Sequence, residues 1–303
     1  MINRLLACLV ALGSMHTCLE AGMWDSVRGV FAEADKPQPP TIKVLVAHDA
    51  DALTVEVKGK YNLYDPFKNK LISTRFVGKN HLMQPLSDGL KWGEKFPGVF
   101  QLLIKPDNTN TTTLIDGIEY RGSLYVYDIG GTISIVNEVD IEDYLHSILS
   151  MQLNKPQSAE ALAAVVIAAR THTYHSATTA QNPYWHVDGA KVGYQGQGIT
   201  SRINGLDQAL ASTRYMVMNL KGPTSNEIVP FSLQVVQSNQ ERNAILEKGL
   251  AGLSVDEAED LAQKGNHAAT ILSKSFPNTS ISLIHDCPLD AIKDVADNTP
   301  LKP

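Results

Sequence analysis

Apolar and polar residues alternate in short bursts through the first half of the chain. Thr41-Ile-Lys-Val-Leu-Val-Ala47 begins the series, Asp51 to Val57 alternates, and Asn62-Leu-Tyr-Asp65 follows. Val99 to Ile104, Gly122 to Tyr127 and Gly131 to Val136 share this β-branched and aromatic character. A period of two predicts strands with one buried face. The rest of 58–98 carries no clear period.

At Asp140 the pattern changes. Asp140-Ile-Glu-Asp143 offers a capping acceptor followed by acids in the first turn, which predicts a helix through Tyr144, Leu145, Ile148 and Leu149. After Pro156 a second helix is predicted from about Ser158 to Ala177. It is apolar on nearly all sides between 161 and 169, the signature of a buried helix. Residues 182–199 are rich in Gly, aromatic and polar residues and read as loop. A short helix near 203–212 leads to an expected β pair, Tyr215–Leu220 with Ile228–Val236, across a Lys-Gly-Pro-Thr-Ser-Asn turn. Further on, Ser254-Val-Asp-Glu257 has the capping-box spacing, Gly265 suits a helix end, and Asn266 is expected to cap a last helix before Pro277. These elements predict an α+β protein. It has a β-rich scaffold, a buried helical segment around 140–177, and a substrate cleft between that segment, the 182–199 loop and the 248–257 region.

The ends change the picture of where the protein works. Arg4 precedes the apolar run Leu5 to Leu12, the pattern of a secretory signal peptide, with Ala21 as the expected last residue removed. Residues 22–40, ending Lys-Pro-Gln-Pro-Pro40, read as a linker, 41–285 as the domain, and 286–303 as a loose tail. The expected location is therefore outside the cytoplasm, in the periplasm or cell envelope. Cys8 and Cys18 would leave with the signal, so Cys287 is left without an intrachain partner, and a Cys-based zinc site is excluded. The net charge of −6 argues against a nucleic-acid partner. His172 and His175 lie three apart, with His186 beyond, but satisfied or surface histidines are the simpler account, and neither a metal nor a cofactor is expected.

Three segments in order carry a family likeness. Ile133-Ser-Ile-Val-Asn137-Glu-Val-Asp-Ile-Glu-Asp-Tyr144-Leu145 is similar to a strand followed by an Asn-x-x-x-x-Glu-Asp-Tyr-Leu helix start. Glu160-Ala-Leu-Ala-Ala-Val-Val-Ile-Ala-Ala-Arg170-Thr171 is similar to a Glu-Ala-Leu-Lys-Ala-Gln-Ala-Val-Ala-Ala-Arg-Thr helix. Gly252-Leu-Ser254, Ile271-Leu272 and Pro277-Asn-Thr279 follow in the right order. Together they resemble the SpoIID/LytB family (stage II sporulation protein D, amidase enhancer), over roughly residues 41–283. The resemblance implies binding of peptidoglycan glycan strands lacking stem peptides, with some members acting as lytic transglycosylases and others as amidase enhancers. A role in cell division or septal turnover is the process it suggests, with an amidase as partner.

A lytic transglycosylase needs one carboxyl group. It protonates the leaving glycosidic oxygen, then as carboxylate takes the proton of the attacking 6-hydroxyl. In the family that Glu stands in a Ser-Glu-Met-Pro-like segment. Alignment without gaps puts Gln152 of Ser150-Met-Gln152 there, and an amide does not exchange a proton at neutral pH. Three readings follow. In one the enzyme has altered acid chemistry, with Glu138, Glu142 or Asp143 as replacement or a local shift in the alignment. In another the protein is a catalytically inactive glycan binder that enhances an amidase. In the third Gln152 is a surface residue outside any site. A second departure is Lys248-Gly-Leu-Ala-Gly-Leu-Ser254-Val255, which lacks the family's His and Gln. The residues expected to bind glycan are Tyr144, Arg170, Tyr184, Trp185, Tyr194 and Gln195. For Arg170 a structural ion pair with an acid is the competing account, and for Tyr144 a place in the core.

Overall fold

The computed structural model describes residues 40–76, 78, 80–197, 204–220 and 231–284. The segments expected to be signal, linker before Pro40, 221–226 turn and tail lie outside the described residues. In chain order the strands of the first half are β1 (Thr41–Ala50), β2 (Leu53–Lys58), β3 (Tyr61–Asp65), β4 (Lys70–Arg75), β5 (His81–Leu86), β6 (Gly89–Trp92), β7 (Glu94–Pro97), β8 (Gln101–Pro106), β9 (Thr112–Ile115), β10 (Ile118–Tyr120), β11 (Ser123–Ile129) and β12 (Thr132–Asp140). Then come α1 (Ile141–Gln152), α2 (Ala159–Thr179), β13 (Val187–Asp188), α3 (Gly189–Val192), α4 (Leu206–Ser212), β14 (Met216–Leu220), β15 (Leu233–Val236), α5 (Asn239–Glu247), β16 (Ala251–Ser254), α6 (Val255–Gln263), α7 (Ala268–Ser275) and β17 (Thr279–Leu283). The protein is α+β and rich in β structure.

The alternation does what its period predicts. A seven-stranded sheet runs β13-β1-β12-β11-β8-β3-β4, and a six-stranded sheet runs β10-β9-β2-β5-β6-β7. Ile42, Val44, Leu63, Leu102, Leu124 and Val126 of the first share one buried cluster with Val55, Val57, Met83, Leu90 and Ile115 of the second. Alternate residues of the first sheet face outward. The turn from β10 into β11 passes close to β12. Gly122 takes φ +81° there, and an added Cβ would collide with the Glu138 carbonyl, so only glycine fits.

α1 starts where the sequence places it. Asp140 is its N-cap and accepts from the Glu142 amide with Oδ1 at 2.7 Å. α2 is buried on most sides, packing against α4, α6, α7, β14 and β15. Its alanines let those elements approach closely.

Three local expectations are corrected. β14 does not pair with the strand that follows it. It pairs antiparallel with β17, and β15 pairs parallel with β16. Both runs pack on α2 and take partners from the C-terminal region, so tertiary packing overrides the local hairpin signal. The 182–199 stretch is not all loop. β13 joins the edge of β1 in parallel, held by the His186 amide to the Lys43 carbonyl at 2.8 Å and the Lys43 amide to His186 Nδ1 at 3.2 Å. Asn266 does not cap the last helix. Its Nδ2 donates to the Leu261 carbonyl at the end of α6, while the first amide of α7, at Ala268, is capped by Glu160 Oε2 at 2.7 Å. The Ser254 cap is present, with Oγ accepting from the Glu257 amide at 2.9 Å, and Gly265 follows α6 at φ +82°.

Candidate active site

The first turn of α1 is where charged groups gather. Glu142 sits one residue inside the helix and forms a two-pronged pair with Arg170 of α2, Nε to Oε1 at 2.7 Å and the second nitrogen to Oε2 at 2.8 Å. Arg170 is fully buried, and its remaining N–H groups donate to the carbonyls of Leu210, Thr213 and Met216. A buried guanidinium must be paired and fully hydrogen-bonded. These contacts do that, so Arg170 ties α1, α4 and β14 together and presents nothing to a glycan.

Tyr144 and Tyr194 are spent in the same way. Tyr144 is 3% exposed and Tyr194 7%. Their rings lie 5.5 Å apart, with Tyr120 6.0 Å from Tyr194. The Tyr194 hydroxyl donates to Asn137 Oδ1 at 2.6 Å, and Asn137 Nδ2 donates to the carbonyls of Arg121 and Ser123. The Asn137 of the sequence motif therefore pins the β10–β11 turn to β12. Burial raises the Tyr194 hydroxyl well above its ordinary range and Tyr120 to about 12. These rings correct the expectation that Tyr144, Arg170 and Tyr194 contact glycan: all three are consumed inside the fold.

What opens to solvent at this end of α1 is a polar cleft of about 480 Å³. Its walls come from the β10–β11 turn, the first two turns of α1, Gln197 and α4. Asp143 pairs with Arg121 at 3.2 Å, and His146 Nε2 lies 3.2 Å from Asp207 Oδ1. Asp140 and Arg214 complete the polar lining. Glu142 and Asp143 are thus held by arginines. Asp140 is not paired in this way: burial pushes its carboxyl above the usual range, against the opposing pull of the Glu142 amide and Arg214.

Gln152 lies elsewhere. It is half-buried at the C-terminal end of α1. At 3.6 residues per turn it continues the stripe of Ile141, Leu145 and Ile148, all buried, and stands roughly 180° around and about 13 Å along from Asp143. No acid of the first turn can therefore stand in for Gln152 on the same bound bond. Glu138 cannot either, since it lies on the outer face of the sheet, accepting from Thr41 Oγ1 at 3.2 Å. Beyond Gln152, Lys155 reaches Asp256 at 3.8 Å, and Arg242 links Gly252 and Glu257, which occupies the segment where the family's His and Gln are missing.

The predicted cleft between 140–177, 182–199 and 248–257 is divided in the same sense. The 194–197 stretch meets the first end of α1, and the 256–257 stretch lies near the other. Tyr184, 43% exposed, and Trp185, half-buried, belong to a third place, packed over β1, β11 and β12, with Tyr184 5.1 Å from Tyr127. Gln195 is exposed. Sequence reasoning took Asp140 only as a cap and did not single out Arg121, His146, Asp207 or Arg214. They come from three separate segments, the β10–β11 turn, α1 and the α4 region, and no local spacing announces their meeting.

The fold and this cleft define a two-sheet β scaffold carrying a helical layer whose first helix opens on an acid-lined pocket. The stage II sporulation protein model, SpoIID, matches residues 130–219, which hold α1, α2, α4 and most of the cleft. An uncharacterized protein of Chlamydia pneumoniae is 34% identical over 222 residues, 72% of this chain and 79% of that relative. One of Chlamydia muridarum is 33% identical over 209 residues, 68% of this chain and 71% of that one. One of Brachyspira hyodysenteriae is 33% identical over 177 residues, 56% of this chain and 45% of that one. No solved structure matches the chain. Residues 130–219 thus form a SpoIID domain. That domain supports a function related to the cell wall.

Proposed function

We propose that this is an exported lytic transglycosylase acting on stem-peptide-free glycan strands, with Asp140 as proton donor at a site apart from the position of the missing Glu. The observation that carries the reading is a carboxyl group in a polar cleft, held above its usual range first by burial and further by the negative charges of Asp143 and Glu142 beside it. Protonated Asp140 gives its proton to the oxygen leaving C1 of MurNAc. As carboxylate it then takes the proton of the 6-hydroxyl as that oxygen bonds to C1. One C–O bond breaks, one forms, and no water is consumed. The envelope and the septal wall are where such strands occur, and an amidase that strips stem peptides is the reaction that must precede this one.

The Gln152 position favours a second reading, a noncatalytic strand binder that assists an amidase. Both readings require selective binding. Removal of the stem peptide frees the lactyl carboxylate, so the intact protein should co-sediment with stripped strands and bind peptide-bearing strands about tenfold more weakly. Equal binding to both would sink the assignment of stripped glycan as the substrate.

A further inference from the structure

The outer face of the seven-stranded sheet has an order that the core does not require. Leu45 of β1 pairs with Val136 of β12, Val136 with Tyr125 of β11, Tyr125 with Leu103 of β8, Leu103 with Tyr64 of β3, and Tyr64 with Leu71 of β4. An apolar row thus crosses six strands in register. Beside it Lys43 pairs with Glu138, Glu138 with Ser123, and across the far strands Lys105 pairs with Asn62 and Asn62 with Thr74. That row is entirely polar. At the β1 end, Trp185 packs on the cluster of Leu45, Val136 and Tyr127. Farther along, Tyr125, Leu103 and Tyr64 are only half-buried and Leu71 is 49% exposed. The solvated face of an antiparallel sheet is ordinarily polar. A continuous apolar row on it is the mark of a binding surface.

We propose that this face is the docking surface for the glycan strand, an extended β-1,4-linked polymer of amino sugars lying across the sheet. The inference rests on the function proposed above and extends it by placing the strand away from the cleft. Neighbouring β-strands are about 4.8 Å apart, close to the length of one β-1,4-linked pyranose, so each sugar would meet one strand. Sugar faces would rest on Tyr125, Leu103, Tyr64 and Leu71, where aromatic and aliphatic groups suit their C–H surfaces. The polar row would receive hydroxyl and acetamido groups. Lys43, whose Nζ lies 5.2 Å from the centre of the Tyr125 ring, and Lys105 would attract the lactyl carboxylates exposed once stem peptides are gone. Asp140 is four residues from Val136 along β12, about 13 Å, so the platform is a station separate from the cleft.

The test is co-sedimentation of the intact protein with stem-peptide-free strands, beside a Tyr64→Ser, Leu71→Ser double variant. The expected result is tight binding by the native protein and about tenfold weaker binding by the variant, with an unchanged melting temperature. Native binding matched by the variant would overturn the platform while leaving the glycan reading intact. Absence of native binding would overturn both. A variant that changes the molecular mass in solution and leaves glycan binding unaltered would make the face a self-association surface instead. A second arm keeps the native sequence: reduction of the lactyl carboxylates to alcohols should weaken binding, and Lys43→Gln with Lys105→Gln should abolish that difference. Native binding indifferent to the reduction would overturn the lysine assignment.

Discussion

Asp140→Asn is expected to lower the formation of 1,6-anhydro ends by about 10²–10⁴-fold while leaving the protein folded. The substitution isolates proton transfer. Asparagine caps a helix about as well as aspartate, so the contact with the Glu142 amide is kept. Its amide cannot give a proton to the leaving oxygen or take one from the 6-hydroxyl. The native rate should decline as pH rises through the raised Asp140 pKa, because the protonated form is the one that starts the reaction. Gln152→Ala, assayed in parallel, should stay within about tenfold of native. Loss of activity in Gln152→Ala with activity kept in Asp140→Asn would move the chemistry to the other end of α1.

Glu142→Ala should destabilise the folded protein by about 3–5 kcal/mol. The cause is the uncompensated charge left on Arg170, which is 0% exposed. The carbonyls of Leu210, Thr213 and Met216 would still accept from it, but they carry no charge to balance it. The Glu142 side chain is 21% exposed, so the lower part of that range is the better expectation. Urea unfolding followed by circular dichroism measures it. A loss below about 1 kcal/mol would mean that the pair behaves as a surface ion pair and does not hold the cleft together.

The scaffold was legible from the sequence because its signals are local. Period-two alternation marks β1, β2, β8, β11 and β12, and Asp140, Ser254 and Gly265 punctuate helices by side-chain chemistry that needs no partner from afar. The unclear remainder of 58–98 proved to hold β4 to β7, whose burial does not alternate along the strand, so no period shows. β14 and β15 misled for the opposite reason. Each is a plain strand, but its partner is chosen by what packs on α2. The family motifs were legible too, yet motif membership did not separate architecture from chemistry. Asn137, Tyr144 and Arg170 belong to the recognisable segments and are consumed in holding them together. The cleft was not legible, since Arg121, His146, Asp207 and Arg214 meet only after the turn, α1 and α4 have packed.

The central claim is that a chain with glutamine at the family's Glu position still cleaves glycan. Mass spectrometry of stem-peptide-free strands incubated with the purified native protein tests it most directly. The account predicts shortened strands ending in 1,6-anhydroMurNAc, without hydrolytic reducing ends. Strands that are bound and recovered intact would contradict it.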